Sequence, residues 1–169
     1  MQLLLSLLII AATALVVYWI IKSNPAKTVA LPPLPSAPYT PLLPDAPVAH
    51  HWSDGGRFVV EVVNESRYQG VLKALAGDHG EAAARAPCLA MLYCDEHNAY
   101  EDAAVAVFVE GRMCGYLAPK AALAFRARLK RDGFEKQLTS CDAEVRGGGV
   151  WQSGRLSYSL VLDLERLEH

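Results

Sequence analysis

Charge is missing from the start of this chain, proline from most of its second half, and closely spaced cysteine pairs from all of it. Between Leu3 and Ile21 there is no Asp, Glu, Lys, Arg or His, and only Ser6 and Thr13 are plainly polar. That excludes the polar face a helix of a soluble core would need. As a helix this stretch would run about 28 Å at ~1.5 Å per residue, close to a bilayer's hydrocarbon thickness. Tyr18 and Trp19 stand near its end, where amphipathic rings favour the interface. Only Met1 and Gln2 precede the run, so the basic leader of a cleaved signal peptide is missing as well. The expectation is a retained transmembrane anchor over residues 1–23. Lys22 and Lys27 follow the span, and the positive-inside bias places the rest of the chain in the cytoplasm, at the inner (plasma) membrane in a single pass.

Proline is concentrated in one place: eight of the ten lie in "NPAKTVALPPLPSAPYTPLLPDAP". Each fixes φ and removes a donor, so residues 24–50 read as an extended, semi-rigid linker. Pro-rich segments also serve as peptide ligands, a less favoured reading here. From His50 onward there are 14 Lys/Arg against 17 Asp/Glu, so no general attraction to polyanions is expected.

The four cysteines, Cys88, Cys94, Cys114 and Cys141, include no C-x-x-C pair, which excludes zinc-ribbon spacing. They fall inside strand patterns and are expected to be free thiols acting as small hydrophobes. Their even number leaves disulfides open if the chain faces an oxidising compartment. No Ser-His-Asp, Cys-His or paired-carboxylate arrangement stands out, so no enzyme, metal or cofactor is expected and no small-molecule substrate is evident. Asp95-Glu96-His97 is read as a solvated turn, because adjacent ligands cannot all converge from one strand end. Gly147-Gly148-Gly149 lacks the Lys-Ser/Thr of a P-loop and is read as a flexible hairpin loop, with Trp151 exposed in it.

What is present from residue 51 to 167 has strand and helix periods. Arg57–Val63 alternates as a strand. Ser66 is a plausible N-cap for a helix presenting Tyr68, Val71, Leu72 and Leu75, stopped by Gly77. Cys88–Cys94 follows as a second strand, and Ala103–Glu110, apolar on both faces, as a central one. A turn at Gly111-Arg112 leads into Met113–Leu117. A helix from Pro119 to about Gly133 carries Ala121, Ala124, Phe125 and Leu129 on one stripe and Lys120, Arg126, Arg128, Lys130 and Arg131 elsewhere. Strands containing Cys141–Arg146 and "RLSYSLVLDL" close the series. The order β-α-β-β-β-α-β-β predicts a mainly β (α+β) fold, a small six-stranded OB-like β-barrel with two helices.

The motifs "VVNESRYQGVL" (62–72), "HNAYEDAAVAVFVEGRMCGYL" (97–117) and "LSYSLVLDL" (156–164), in this order and spacing, resemble the HIRAN domain family. The resemblance spans essentially the whole globular part. It implies an OB-like barrel with two helices and a pocket gripping the 3′ end of single-stranded DNA. Carried over residue by residue, it assigns Arg67 to phosphate, Tyr68 and Asn98 to the pocket, Tyr100 to base stacking and Glu101 to a terminal hydroxyl. Tyr116 sits in the Gly-Tyr-Leu motif. Lys120 on the basic helix and Trp151 complete the candidate nucleic-acid contacts. The chain departs from the pattern where Pro becomes Ala99, Asp becomes Glu101, Asn becomes Ala103, Gly becomes Asn64 and Val becomes Cys114. Two functions follow: a membrane-tethered module for single-stranded or 3′-ended nucleic acid, or a protein- or peptide-interaction module that has lost end binding.

Overall fold

A computed structural model describes residues 6, 12–19, 22, 39–98 and 100–166. The chain divides into two compact units, Met1–Ala37 and Pro38–His169. In the first, residues 12–19 are helical and exposed, and Lys22 lies over the Tyr18 ring. No helix among the described residues is long and apolar enough to cross a membrane. Most of the expected anchor and of linker residues 24–38 lies outside the described residues.

The second unit is a closed six-stranded antiparallel barrel. Its elements are β1 (His50–Trp52), β2 (Val60–Val63), a 3₁₀ turn (Glu65–Arg67), α1 (Gln69–Ala76), β3 (Ala84–Cys94), β4 (Val105–Val109) and β5 (Arg112–Leu117). Then come α2 (Pro119–Arg131), β6 (Thr139–Gly147), a two-stranded ribbon of β7 (Val150–Trp151) and β8 (Gly154–Arg155), and β9 (Tyr158–Leu162). The barrel closes in the order β6-β3-β4-β5-β2-β9 and back to β6. β1 adds to β6 in parallel, alongside the first half of that strand, while β9 takes the second half. The expected mainly β barrel with two helices is therefore present. Residues 39–50, read from composition as linker, lie within this compact unit.

The interior is filled by alternate strand positions: Val105, Val107 and Val109 of β4, Ala143 and Val145 of β6, and Leu160 and Leu162 of β9, with Leu72 of α1 and Phe125 and Leu129 of α2. β4 is buried on its outer face too, through Ala106 and Phe108. Its two-sided apolarity arises because the segment around Leu43 packs on the outer face, together with Tyr68, Met91, Tyr93, Met113 and Tyr116.

A β-bulge decides which side chains face that outer layer. Val107 pairs with Gly115 but Phe108 pairs with Met113, so Cys114 is the extra residue. The insertion reverses the alternation. Cys114 and Leu117 join the interior, while Met113 and Tyr116 join the outer layer. Gly115 permits the bulge: it has φ +148°, and a Cβ there would lie 2.5 Å from both the Val63 carbonyl oxygen and Val62 Cγ1.

The motif around Glu65 and Gln69 clasps a strand edge. Where β2 has left β9 for β5, the Gln69 side-chain amide donates to the Tyr158 carbonyl (2.9 Å) and accepts from the Tyr158 N–H (2.9 Å). Glu65 Oε1 accepts the Leu160 N–H. The two side chains replace a missing strand neighbour and satisfy buried backbone groups.

Several local expectations are corrected. The first strand is shorter than Arg57–Val63, because Ser53 Oγ and the Gly56 and Arg57 N–H groups donate to buried Asp163 and Phe58 turns left-handed. Ser66 does not cap α1; it lies in the 3₁₀ turn, and the N-cap is Tyr68. His50 and His51 are strand rather than tether, with His51 Nδ1 3.0 Å from Ser140 Oγ and Trp52 in the core. The three glycines are there for close packing. A Cβ on Gly148 would fall on the Tyr158 ring, and one on Gly147 would fall on the Ser157 carbonyl oxygen.

Two measurements check this account. Gly115→Ala forces a Cβ against backbone and should cost about 2–3 kcal/mol in chemical denaturation. Burial pushes the Glu65 carboxyl up from 4.5 to about 7, despite the Leu160 N–H favouring the anion. The folded state thus holds this proton more tightly. Its contribution to stability is complete below pH 4.5 and is lost as pH rises through 7. Denaturation midpoints should fall between pH 5 and 8, and Glu65→Gln should flatten that fall.

Candidate functional site

The chain leaves β3 at Asp95, and this carboxylate organises the corner. It is 3% exposed, not the solvated turn residue expected from its neighbours. Its Oδ1 accepts from the Tyr39 hydroxyl (2.6 Å) and the His97 N–H (3.3 Å). Its Oδ2 accepts from Asn98 Nδ2 (3.2 Å) and the Tyr116 hydroxyl (3.4 Å). Asn98, fixed by that bond, accepts the Tyr100 N–H (3.0 Å) and the Glu101 N–H (3.2 Å) on its Oδ1. This is the local geometry that suits Asn to turns. The Asp95 N–H donates to Ala104, closing the loop into β4.

One hydrogen-bonded chain therefore joins four of the eight candidate residues: Tyr116, Asn98, Tyr100 and Glu101. Tyr68 packs in the same outer layer as Tyr116. Tyr100 is 68% exposed, so its ring is held out from the corner rather than covering the barrel end. Glu101 is half-buried, and Arg67 and Lys120 are exposed. Among the described residues neither of these two cations has a side-chain hydrogen bond or ion pair. Trp151 does not join the group. Its ribbon adjoins Gly147, which pairs with Ala84 at the opposite end of β3 from Asp95, about 30 Å of strand away at ~3.3 Å per residue.

The basic helix is less available to anions than its composition implied. Arg126 bonds Glu96 (2.6 Å), Arg128 bonds Glu165 (2.8 Å) and Arg131 bonds Asp132 (2.9 Å). Arg128 also lies over the Trp52 ring at 4.4 Å. Lys120 at the helix start has no carboxylate partner among the described residues. The cysteines are free; Cys94, Cys114 and Cys141 are buried and Cys88 half-buried. Burial pushes the Cys88 and Cys114 thiols up to about 11 and Cys141 to about 12, which suppresses thiolate chemistry. Among the described residues, no three His, Cys, Asp or Glu side chains form a group that could hold a metal ion.

No known protein family, curated protein or solved structure matches this chain. The site stands on its own chemistry: a ring projecting from a pinned turn, phenols backed by a buried carboxylate, and two exposed cations. Sequence reasoning missed Tyr39, Tyr93 and Asp95. Tyr39 lay in a proline-rich stretch read as linker, and the signal that could have found it was the apolar outer face of β4, which needs a cover.

Burial, then the bond to Asp95, pushes the Tyr39 hydroxyl up to about 12; burial and the Asp95 charge also raise Tyr116. Both phenols should ionise after the exposed tyrosines in an ultraviolet pH titration. Asp95→Asn removes the charge, and the delay should shrink at both. An unchanged titration would show that the carboxylate is not the hub.

Proposed function

We propose that the Pro38–His169 unit is a HIRAN-like, OB-like binding module without chemistry of its own, which holds the end of a single-stranded nucleic acid. In this reading the chain is anchored at the inner membrane by residues 1–23, with the barrel in the cytoplasm. The observation that carries the proposal is Tyr100, a ring 68% exposed on a turn locked by Asn98 and Asp95. A ring presented to solvent from a turn whose backbone is fixed can stack on an unpaired base. Glu101, pinned to the same Asn98 oxygen, supplies an acceptor for a terminal hydroxyl. Arg67 and Lys120, both exposed and without carboxylate partners among the described residues, supply phosphate contacts. Tyr68 and Tyr116, together in the outer layer, supply further aromatic surface in this reading. Trp151, about 30 Å of strand away at ~3.3 Å per residue, belongs to this function only for a ligand long enough to pass along the barrel.

The slight excess of acid over base makes a sequence-wide electrostatic grip weak, so end recognition must rest on these local contacts. A second reading, a peptide-interaction module, is favoured by one observation: a proline-containing stretch of the chain itself, outside any regular element, already lies on the outer face beside the corner.

Fluorescence anisotropy of the full chain with short oligonucleotides tests the first reading. A free 3′ hydroxyl should bind more tightly than a 3′ phosphate, and Tyr100→Ala should weaken binding by about tenfold, since stacking contributes ~1–3 kcal/mol per base. No binding to either oligonucleotide at low salt would transfer the proposal to the peptide reading.

A further inference from the structure

The outer face of β3, β4 and β5 is partly covered by the chain's own residues 39–44, while residues 45–47 lead away from it exposed. Tyr39 donates to Asp95, Pro41 is buried, and Leu43 packs against the layer of Ala106, Phe108 and Met113. Between Tyr39 and Val48 no backbone hydrogen bond among the described residues joins this strap to the barrel. The first is Ala49 N–H to Leu138 (2.8 Å), just before β1. Prolines 41, 44 and 47 have no N–H to offer and preset an extended backbone. The strap thus lies on the barrel as a proline-rich peptide lies in an aromatic-lined groove, held by side chains alone. Segments with few backbone hydrogen bonds to their surroundings are the ones that open locally.

We propose that residues 39–47 are a releasable internal occupant of the ligand face, competing with the bound strand for the tyrosine layer. Tyr39 takes the donor position on Asp95, next to the site where Tyr116 and Asn98 are held. Lifting the strap uncovers Tyr68, Tyr93 and Tyr116 and adds their rings to the exposed ring of Tyr100. The strap continues N-terminally into the rest of the proline-rich stretch, so a pull or a partner acting on that stretch reaches the site from the Tyr39 end. This inference rests on the nucleic-acid reading for the identity of the competitor, but not for the release itself.

The full chain with Tyr39→Phe and Leu43→Ala, substitutions confined to the strap, should bind a 3′-hydroxyl oligonucleotide about tenfold more tightly than the unsubstituted chain. A labelled peptide of residues 38–49, added to that variant, should bind saturably, weaken when it carries Tyr39→Phe, and be displaced by the oligonucleotide. Peptide binding with no oligonucleotide binding to either chain would uphold the releasable occupant and overturn the nucleic-acid reading. Equal oligonucleotide affinity in both chains with no peptide binding would overturn the strap while leaving the nucleic-acid reading in place. Peptide and oligonucleotide bound together without competition would also overturn it.

Discussion

A buried carboxylate holds this corner of the barrel together. Asp95 stands at the end of β3 with three side-chain donors and one backbone donor converging on it, drawn from the strap, from β5 and from its own turn. A charge removed from water must be compensated by hydrogen bonds or it will not remain buried. Here the compensation has a structural result, because the donors come from three different parts of the chain. Tyr39 brings the strap down, Tyr116 registers β5, and Asn98 sets the turn from which Tyr100 and Glu101 emerge. The exposed ring is thus positioned by an anion it does not touch.

The bulge in β5 is the second requirement. Without Cys114 as an inserted residue, Tyr116 would point into the barrel and Asp95 would lose its partner across the sheet. Gly115 makes the insertion sterically possible, and the clasp of Glu65 and Gln69 keeps the barrel shut where β2 crosses from β9 to β5. Closure of the sheet and presentation of the turn are coupled in this way, since β2 and β5 meet through residues next to the bulge.

Much of the architecture was legible in the sequence because its signals are local. Period-two alternation located β9 from Tyr158 to Leu162, and the double-sided apolar run located β4 as a central strand. Pro119 and Gly133 bracketed α2. The errors share a cause: each involves a residue whose role depends on a distant partner. Asp95 looks like any turn acid until Tyr39 and Tyr116 arrive from 56 positions before it and 21 after it. Glu65 and Gln69 belong to a motif read for the ligand contacts of its neighbours Arg67 and Tyr68, yet they serve the backbone of β9. The parity of Tyr116 turns on one inserted residue that no periodicity reveals. The arginines of α2 were counted as a basic surface, but three of them are matched to carboxylates. Of the candidate site, the turn from Asn98 to Glu101 was found from sequence, while its support and its cover were not.

β3 pairs with β6 over Ala84–Leu92 but with β4 only from Ala90 to Cys94, so residues 84–89 have a neighbour in the sheet on one side alone. An unpaired stretch of strand is an invitation to join another sheet. Pro87 stands in the middle of that stretch, opposite Glu144, and a ring nitrogen cannot donate to an incoming strand. Many copies crowded together would therefore find this rim a poor template for lateral growth into fibrils.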